Sequence, residues 1–264
     1  MPINRKRLND LTGSEWKFWS RSVITKPYPR DLQHALRSEH GGQKPPRLCE
    51  DLIRVFTHEG DRVLDPLAGV GGTLLGAALA GREAHGIERT GRWAEIYREV
   101  CKLEKLRCFE CRVGDARDEL ARLEPESFRF VLTDLPYWDM DRLPKTRAAR
   151  AAKSKLSRFD AEAGRPKSEW LAEMREILLG AARALAERCY LAVFVGDMYR
   201  GNQYHMLGSE VAASLAGSCL TLKANLVWYD VSKSLHVYGY PSAFVPSLTH
   251  QNILVFRKES PPPS

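Results

Sequence analysis

The seven residues "TDLPYWD" at positions 133–139 combine groups that could hold a flat ring carrying N–H donors. An apolar run at 130–132 precedes them, which is typical of a buried strand. Asp134 offers a carboxylate, and the next residue a main-chain carbonyl, as hydrogen-bond acceptors. Pro136 restricts the turn, and two adjacent aromatic rings follow it. Core packing of the rings is the alternative, but a carboxylate and a proline beside them make a poor core.

Short β-rich runs that end in an acidic residue recur along the chain. The five acids are Asp65, Glu88, Asp115, Asp134 and Asp197. Helical patterns alternate with these runs, which predicts a mostly parallel sheet covered on both faces. Ligands of open α/β sheets bind outside the carboxyl ends of the strands. We therefore expect the five acids to surround one crevice.

The pattern predicts a doubly wound α/β fold with a mostly parallel, seven-stranded sheet. The predicted strands are 61–65, 84–88, 111–115, 128–134, 190–197, 222–230 and 251–258. The predicted helices are 73–80, 91–105, 116–123, 168–187 and 205–216. The tryptophan and methionine stripe on the fourth helix has helical spacing and predicts core packing on the sheet.

The stretch "VLDPLAGVGGTLLGAALA" predicts a strand, a glycine-rich turn and a helix. Gly69, Gly71 and Gly72 permit positive φ and close approach of a ligand to the backbone. The spacing lacks a full G-x-G-x-x-G, so a pyrophosphate cradle is not supported. Glu88 follows Gly69 by 19 positions, where an acid accepts hydrogen bonds from ribose hydroxyls. Nicotinamide enzymes and S-adenosylmethionine enzymes share that property.

Two further acids distinguish these cofactors. Asp65 precedes the glycine turn, where it would repel a pyrophosphate but suits a cofactor with an ammonium and a sulfonium. Asp115, at the end of the third run, could accept a hydrogen bond from an adenine amino group. The alternative is that such acids are helix N-caps, because aspartate is favoured there.

The segments "LDPLAGVGGT", "GIE", "GDA" and "TDLPYW" together resemble the amino-group DNA methyltransferases, which carry an S-adenosylmethionine motif and a [DNS]-P-P-[YFW] motif. The resemblance covers about residues 45–258. It implies a class I methyltransferase-like Rossmann fold with S-adenosyl-L-methionine as cofactor. The cofactor-binding residues that it implies are Asp65, Pro66, Ala68, Gly69, Gly71, Thr73, Glu88, Asp115, Ala116 and Asp134.

The resemblance also implies how the opening motif acts. The Asp134 carboxylate and the Leu135 carbonyl would accept both N–H bonds of an exocyclic amino group, whose nitrogen is otherwise a poor nucleophile. Pro136 stiffens the turn. Tyr137, helped by Trp138, would stack a base rotated out of its duplex, a contact worth ~1–3 kcal/mol per base. The implied catalytic residues are Asp134, Leu135, Pro136 and Tyr137.

One residue departs from the family pattern, because Leu135 stands where the family has proline. The carbonyl is retained, but the turn should lose some preorganisation. A catalytically silent DNA-binding relative is therefore one alternative, beside an RNA amino-methyltransferase and, last, a nicotinamide dehydrogenase. Asp134 favours adenine N6 as the target, while "PYW" after a threonine resembles the "TSPPYW" of cytosine-N4 enzymes. Both bases stay open.

Positive charge is concentrated in one segment. The formal net charge is +7, and nine Lys or Arg against three acids lie between Asp141 and Ser168. A solvated helix or disordered loop would explain such a run. Its position after the motif favours nucleic-acid phosphates instead. The candidate contacts are Arg142, Lys145, Arg147, Arg150, Lys153, Lys155 and Arg158.

A second candidate wall for a nucleic-acid cleft is the loop 231–250. It carries Tyr238, Tyr240 and Phe244, and a loop of this length in a compact domain is usually functional or disordered. The implied partner is double-stranded DNA, with no membrane. A homodimer and a cognate restriction nuclease remain open as further partners.

The remaining segments complete the predicted organisation, with residues 45–258 as the methyltransferase domain and 141–168 as its basic insertion. Residues 1–44 are predicted to be an arm laid across the domain, anchored by Trp16, Phe18 and Trp19. Residues 259–264 should be a disordered tail. The C-x-x-C at 108–111 lacks a second pair at zinc spacing, so we expect no metal. Without a signal-like or spanning segment, a cytoplasmic location is expected.

Overall fold

The computed structural model of the chain describes residues 7–138, 165–235 and 240–259. The helices in these residues are α1 (Gly13–Trp19), α2 (His34–Arg37), α3 (Pro46–Phe56), α4 (Gly72–Leu79), α5 (Gly91–Glu104), α6 (Ala116–Ala121), α7 (Lys167–Ala184) and α8 (Leu207–Ser214). The strands are β1 (Val23–Ile24), β2 (Arg62–Asp65), β3 (Glu83–Glu88), β4 (Glu110–Val113), β5 (Phe128–Asp134), β6 (Leu185–Val195), β7 (Met198–Arg200), β8 (Gln203–His205), β9 (Leu220–Tyr229) and β10 (His250–Lys258).

Eight of these strands form one sheet in the order β1-β9-β10-β6-β5-β2-β3-β4. Strands β4, β3, β2, β5 and β6 run parallel, and β10 is antiparallel to both β6 and β9. The carboxyl ends of the parallel strands therefore lie at one edge of the sheet, as the acidic strand ends predict. The predicted doubly wound, mostly parallel α/β fold is confirmed.

Helices cover both faces because the central strands are apolar on both sides. Val131 and Leu132, adjacent in β5, are fully buried in different core clusters. One cluster includes residues of α6, α7 and α8, and the other includes residues of α3, α4 and α5. Trp170 and Met174 of α7 are 2% exposed within the first cluster, as predicted for its stripe. At about 25 cal/mol per Å² of apolar area, such burial dominates the favourable side of folding.

Two differences from the predicted elements have local causes. The predicted helix 168–187 ends at Ala184, and β6 begins at once with Leu185 rather than at residue 190. The β5–β6 register shifts between Phe128 and Phe130, and Arg188 has a φ of 61°. This irregularity absorbs extra residues in β6, which periodicity alone does not reveal.

The N-terminal segment adds an eighth strand, which the sequence did not predict. Val23 and Ile24 pair in parallel with Val227 and Trp228 of β9. Of the three aromatic side chains expected to anchor the arm, only Trp19 packs against the core, while Trp16 and Phe18 are 46% and 40% exposed. Main-chain pairing and buried polar contacts hold the arm instead of those two rings.

None of the helices in the described parts of the chain has both the length and the apolar run needed to cross a membrane. Within the same residues, no group of three or more His, Cys, Asp or Glu side chains could hold a metal ion. The seven basic residues predicted to contact phosphates, and Tyr238 of the second loop, lie outside the described residues.

Candidate active site

A cleft of about 1390 Å³ opens at the carboxyl edge of the parallel strands. Of the ten predicted cofactor residues, all except Gly71 line it. The "DLPYW" motif lines the same cleft from the end of β5. Asp197, the fifth predicted acid, is not among its lining residues and accepts hydrogen bonds from the Tyr204 hydroxyl and Gly208 N–H. Four of the five strand-end acids thus share one cleft.

The glycine turn is fixed to the end of the neighbouring strand. Ala68 N–H donates to the Ile87 carbonyl at 2.8 Å, and Gly69 N–H donates to Glu88 Oε2 at 2.8 Å. Glu88 Oε1 also accepts from Thr90 N–H at 2.7 Å. Glu88 therefore shapes the turn as well as lining the cleft. A carboxylate has about four acceptor positions, so these two bonds leave capacity for ligand hydroxyls.

Asp65 is a buried carboxyl at the end of β2. Its Oδ1 accepts hydrogen bonds from Thr133 Oγ1 at 2.8 Å and from Leu67 N–H at 3.1 Å. Burial raises the pKa of Asp65 to about 7, although hydrogen bonds from Thr73 and Thr133 act against that shift. The site therefore favours a cationic ligand group, which would restore the carboxylate to its charged form.

Asp115 has the N-cap geometry that the sequence left as an alternative. Its Oδ1 accepts from Arg117 N–H at 2.9 Å at the start of α6, and the Arg117 guanidinium contacts both of its carboxylate oxygens. The hydrogen bond from Arg117 is the main reason that the pKa of Asp115 falls to about 2. Asp115 also lines the cleft, so a contact with adenine stays a prediction beside its capping role.

Asp134, whose side chain is 25% exposed, forms an ion pair with a buried lysine from the arm. Lys44 Nζ lies 2.5 Å from Asp134 Oδ2. The other oxygen, Oδ1, is buried and accepts no hydrogen bond within the described residues. The pKa of Asp134 is raised, because burial disfavours the carboxylate, although the Lys44 ammonium acts in the opposite direction. Burial disfavours the charge of Lys44, but the Asp134 carboxylate favours it, and the pKa of Lys44 is raised. An unsatisfied buried acceptor costs about 1–3 kcal/mol, which a donor from a ligand would recover.

The turn after Asp134 is held from two sides. Leu135 N–H donates to the Phe194 carbonyl at 3.1 Å, and the Leu135 side chain is 2% exposed in the core. The Pro136 carbonyl accepts from Trp170 Nε1 at 2.9 Å. The expected loss of preorganisation at Leu135 is therefore offset, because leucine supplies a hydrogen bond that proline cannot make.

The two aromatic residues of the motif have different surroundings. Tyr137 lines the cleft, and a Cβ on Gly196 would lie 2.5 Å from its ring, so this glycine makes room for the tyrosine. The Tyr137 hydroxyl accepts from Gln251 Nε2. Trp138 is 8% exposed in the core, and its indole N–H donates to the Arg165 carbonyl at 2.7 Å. Base stacking stays a prediction for both, and the packing reading is stronger for Trp138.

We expect Leu135→Pro to destabilise the protein by about 1–3 kcal/mol and to give no faster reaction. Proline removes the bond to the Phe194 carbonyl and leaves that acceptor unsatisfied. Leu135→Met is the matched control, because it keeps the N–H and a similar volume and should cost less than about 1.5 kcal/mol. Urea unfolding measures both. A proline variant as stable as the wild type and faster would contradict this account.

Three residues of the site escaped the sequence prediction. Lys44 belongs to "GGQKPP" in the arm, where a lysine between tight-turn residues was the available signal. The sequence predicts Trp170 as a core residue, and it lies in the core. Its indole N–H also donates to the Pro136 carbonyl, a contact that the pattern does not reveal. Gln251 lies in the predicted last strand, and no local pattern marks it as the partner of Tyr137.

Comparison with known proteins agrees with the sequence resemblance. Residues 5–99 match the N6_N4_Mtase family model, described as DNA methylase. The chain is 34% identical over 100 residues to the type II methyltransferase M2.DpnII of Streptococcus pneumoniae, covering 38% of this chain and 34% of the relative. It is 27% identical over 141 residues to the tRNA (guanine(10)-N2)-dimethyltransferase of Pyrococcus abyssi, covering 53% and 39%.

The fold has counterparts among solved structures. TrmN from Thermus thermophilus matches with a TM-score of 0.57 and 17% identity, covering 87% of this chain and 52% of that chain. This likeness concerns the fold alone. The chain spans 34–41% of the length of the curated relatives it matches.

Proposed function

We propose, from the match of residues 5–99 to the family model described as DNA methylase, that the chain methylates an exocyclic amino group in DNA. The methyl donor is S-adenosyl-L-methionine, and the target is adenine N6 or cytosine N4, with adenine favoured by the aspartate at 134. One observation carries the proposal: Asp134 Oδ1 is buried, has no hydrogen-bond partner in the described parts of the chain, and lies on a motif that lines the same cleft as the glycine turn.

The described residues fit this cofactor. Asp65 offers a buried carboxyl to the ammonium, Gly69 lets the ligand approach the turn, and Glu88 keeps acceptor positions for ribose hydroxyls. A side chain at position 69 would meet the His40 ring at 3.3 Å and narrow the cleft. When bound, the cofactor supplies an electrophilic methyl group on its sulfonium.

The residues of the motif act on the amino group. Asp134 Oδ1 would accept one N–H bond and the Leu135 carbonyl the other, which would fix the orientation of the amino group and of its lone pair. The amino nitrogen would lose one proton when it takes the methyl group that the bound cofactor would supply. Asp134 Oδ1 is the nearest acceptor for that proton in this arrangement. Tyr137 would stack the base that is held there.

A second candidate function is methylation of an amino group in RNA. Two curated relatives are named tRNA (guanine(10)-N2)-dimethyltransferase, one 27% identical and the other 35% identical in the matched segment. A guanine N2 amino group presents the same two N–H donors to Asp134 and Leu135. The basic segment 141–168 suits the phosphates of either nucleic acid.

The experiment incubates the purified chain with methyl-labelled cofactor and separate pools of double-stranded DNA and RNA. Digestion to nucleosides then identifies the product. We expect N6-methyladenine or N4-methylcytosine from the DNA pool. Label only in N2-methylguanine from the RNA pool would favour the second candidate, and label in neither pool would contradict both.

Cofactor affinity should depend on pH through Asp65. The buried carboxyl is largely protonated below its pKa of about 7, so ammonium binding must release a proton there. Affinity for S-adenosylhomocysteine should therefore rise from pH 5.5 to about 7, by up to roughly tenfold per unit, and then level off. Titration calorimetry at a series of pH values measures this affinity.

Two variants test the assignment of that pH dependence. Asp65→Asn should bind S-adenosylhomocysteine weakly, and its affinity should no longer change with pH. Asp115→Asn is the control, because the low pKa of Asp115 keeps it ionised across the whole range, and its removal should leave the slope intact. A slope that survives in Asp65→Asn would refute the assignment.

A further inference from the structure

Lys44 is the partner of Asp134 although 90 residues separate them in sequence. It is 7% exposed, and among the described carboxylate oxygens its Nζ hydrogen-bonds to Asp134 Oδ2, at 2.5 Å. The Nζ also donates to the Gly42 carbonyl at 3.3 Å and lies 5.5 Å from the centre of the Phe194 ring. The ammonium therefore sits in a shaped site rather than on a solvated surface.

The backbone of Lys44 is fixed independently of Asp134. Arg37 is 1% exposed, and its guanidinium donates to the carbonyls of Lys44, Leu32 and Asp31. On its other side, the Lys44 carbonyl oxygen lies 3.2 Å from where a Cβ on Gly72 would be. The arm is thus wedged between a buried arginine and the first turn of α4. This arrangement sets the position of the ammonium before any substrate binds.

The ion pair gives the two carboxylate oxygens of Asp134 different surroundings. Oδ2 is occupied by Lys44, while Oδ1 is buried and has no hydrogen-bond partner among the described residues. A carboxylate without this contact could rotate and present either oxygen, or accept both N–H bonds of one amino group side by side. With Oδ2 engaged, one oxygen in one orientation remains for the substrate.

We propose that Lys44 is a positioning residue that engages Asp134 Oδ2 and so directs Oδ1 at one N–H of the target amino group. The proposal rests on the proposed function and deepens it, because it assigns part of the site to the arm. Lys44 itself touches no reacting atom. Its role is to select the orientation of the carboxylate and to keep the carboxylate anionic.

The test compares Lys44→Met with a matched buried lysine. Lys258 on β10 is 8% exposed, donates to the Leu185 carbonyl at 2.8 Å and lies away from the cleft. We expect Lys44→Met to lower kcat by about 10–100-fold, while the affinity for S-adenosylhomocysteine and the KM for nucleic acid change by less than about threefold. Lys258→Met should lower Tm to a similar extent and leave kcat unchanged. Equal losses of kcat in both variants, or an unchanged kcat in Lys44→Met, would overturn the proposal.

Lys44→Arg covers the case in which Lys44→Met does not fold. Arginine keeps the charge, but its planar fork reaches both oxygens of a carboxylate. We expect a folded protein with a kcat lowered by roughly tenfold, because Oδ1 is then covered. A wild-type kcat in this variant would show that only the charge matters and would overturn the positioning role.

A melting experiment separates this proposal from the proposed function. Lys44→Met leaves the partly buried Asp134 carboxylate without its cation, so the double variant with Asp134→Asn should melt several degrees higher than Lys44→Met alone. If the wild type transfers no methyl group, the proposed function fails, and this recovery of Tm still supports Lys44 as the group that holds the carboxylate. No recovery would overturn that contact whatever the activity.

Discussion

Replacing Asp134 with asparagine should lower the rate of methyl transfer by about 10²–10³-fold, the largest effect expected of any single change in the cleft. The amide can still accept one hydrogen bond, but it carries no charge and accepts a proton poorly. Cofactor affinity should change by only a few fold, because Asp65, Glu88 and the glycine turn are untouched. Single-turnover kinetics with labelled cofactor measure the rate, and calorimetry measures the affinity.

The effect of Asp134→Asn on the rate must be separated from its effect on the stability of the fold. Asp134→Asn leaves the Lys44 ammonium without its anion, so a loss of about 1–3 kcal/mol in the free energy of unfolding is expected. Asp61→Asn is the matched change outside the cleft, where the Asp61 carboxylate accepts from His58 N–H at 2.8 Å. It should keep full activity. An Asp134→Asn variant within tenfold of the wild-type rate would contradict the assigned role.

Replacing Gly71 with alanine should destabilise the protein by about 2–5 kcal/mol and abolish cofactor binding at ordinary concentrations. Gly71 has a φ of 77°, which costs an L-residue roughly 1–2 kcal/mol. A Cβ there would lie 2.1 Å from Cδ2 of Tyr97, and overpacking costs a further ~1–3 kcal/mol. Tyr97 cannot move away easily, because it is fully buried and its hydroxyl accepts from Phe109 N–H at 2.9 Å.

Gly60→Ala separates the two costs. Gly60 has nearly the same φ, 78°, but nothing lies within 4 Å of the position of its Cβ. It should therefore lose only the conformational part, about 1–2 kcal/mol. Urea unfolding of the two variants gives the difference directly. Equal losses would show that the contact with Tyr97 is not the cause.

These two experiments probe different parts of the proposed site, because Gly71 belongs to the glycine turn and Asp134 lines the cleft. Gly71 tests the support beneath the cofactor turn, whereas Asp134 tests the acceptor that faces the substrate. Thr133, the residue before Asp134, donates its hydroxyl to Asp65. Strand β5 thus connects the carboxyl that we propose binds the ammonium to the motif that we propose is catalytic.

Much of the cofactor half could be predicted from the sequence because its signals are local. The strand ending in Asp65, the glycine turn and the following helix occupy consecutive residues, and apolar periodicity with glycine positions fixes them. The acids at strand ends followed from the same reasoning, because parallel strands share an edge. Of the five acids, only Asp197 does not line the cleft. Its carboxylate instead accepts hydrogen bonds from Tyr204 in the β7–β8 hairpin and from Gly208 at the start of α8.

The sequence by itself determined the alternation of strands and helices and the acids at the carboxyl edge, and the chemistry of "DLPYW" stays a prediction. Tertiary structure decided that Lys44 takes Oδ2 of Asp134, that Trp170 holds the Pro136 carbonyl, and that Trp138 is buried in the core. The physical reason is that propensity and periodicity act over a few residues along the chain. A buried charge or indole N–H, in contrast, finds its partner only when packing removes water and brings distant elements together.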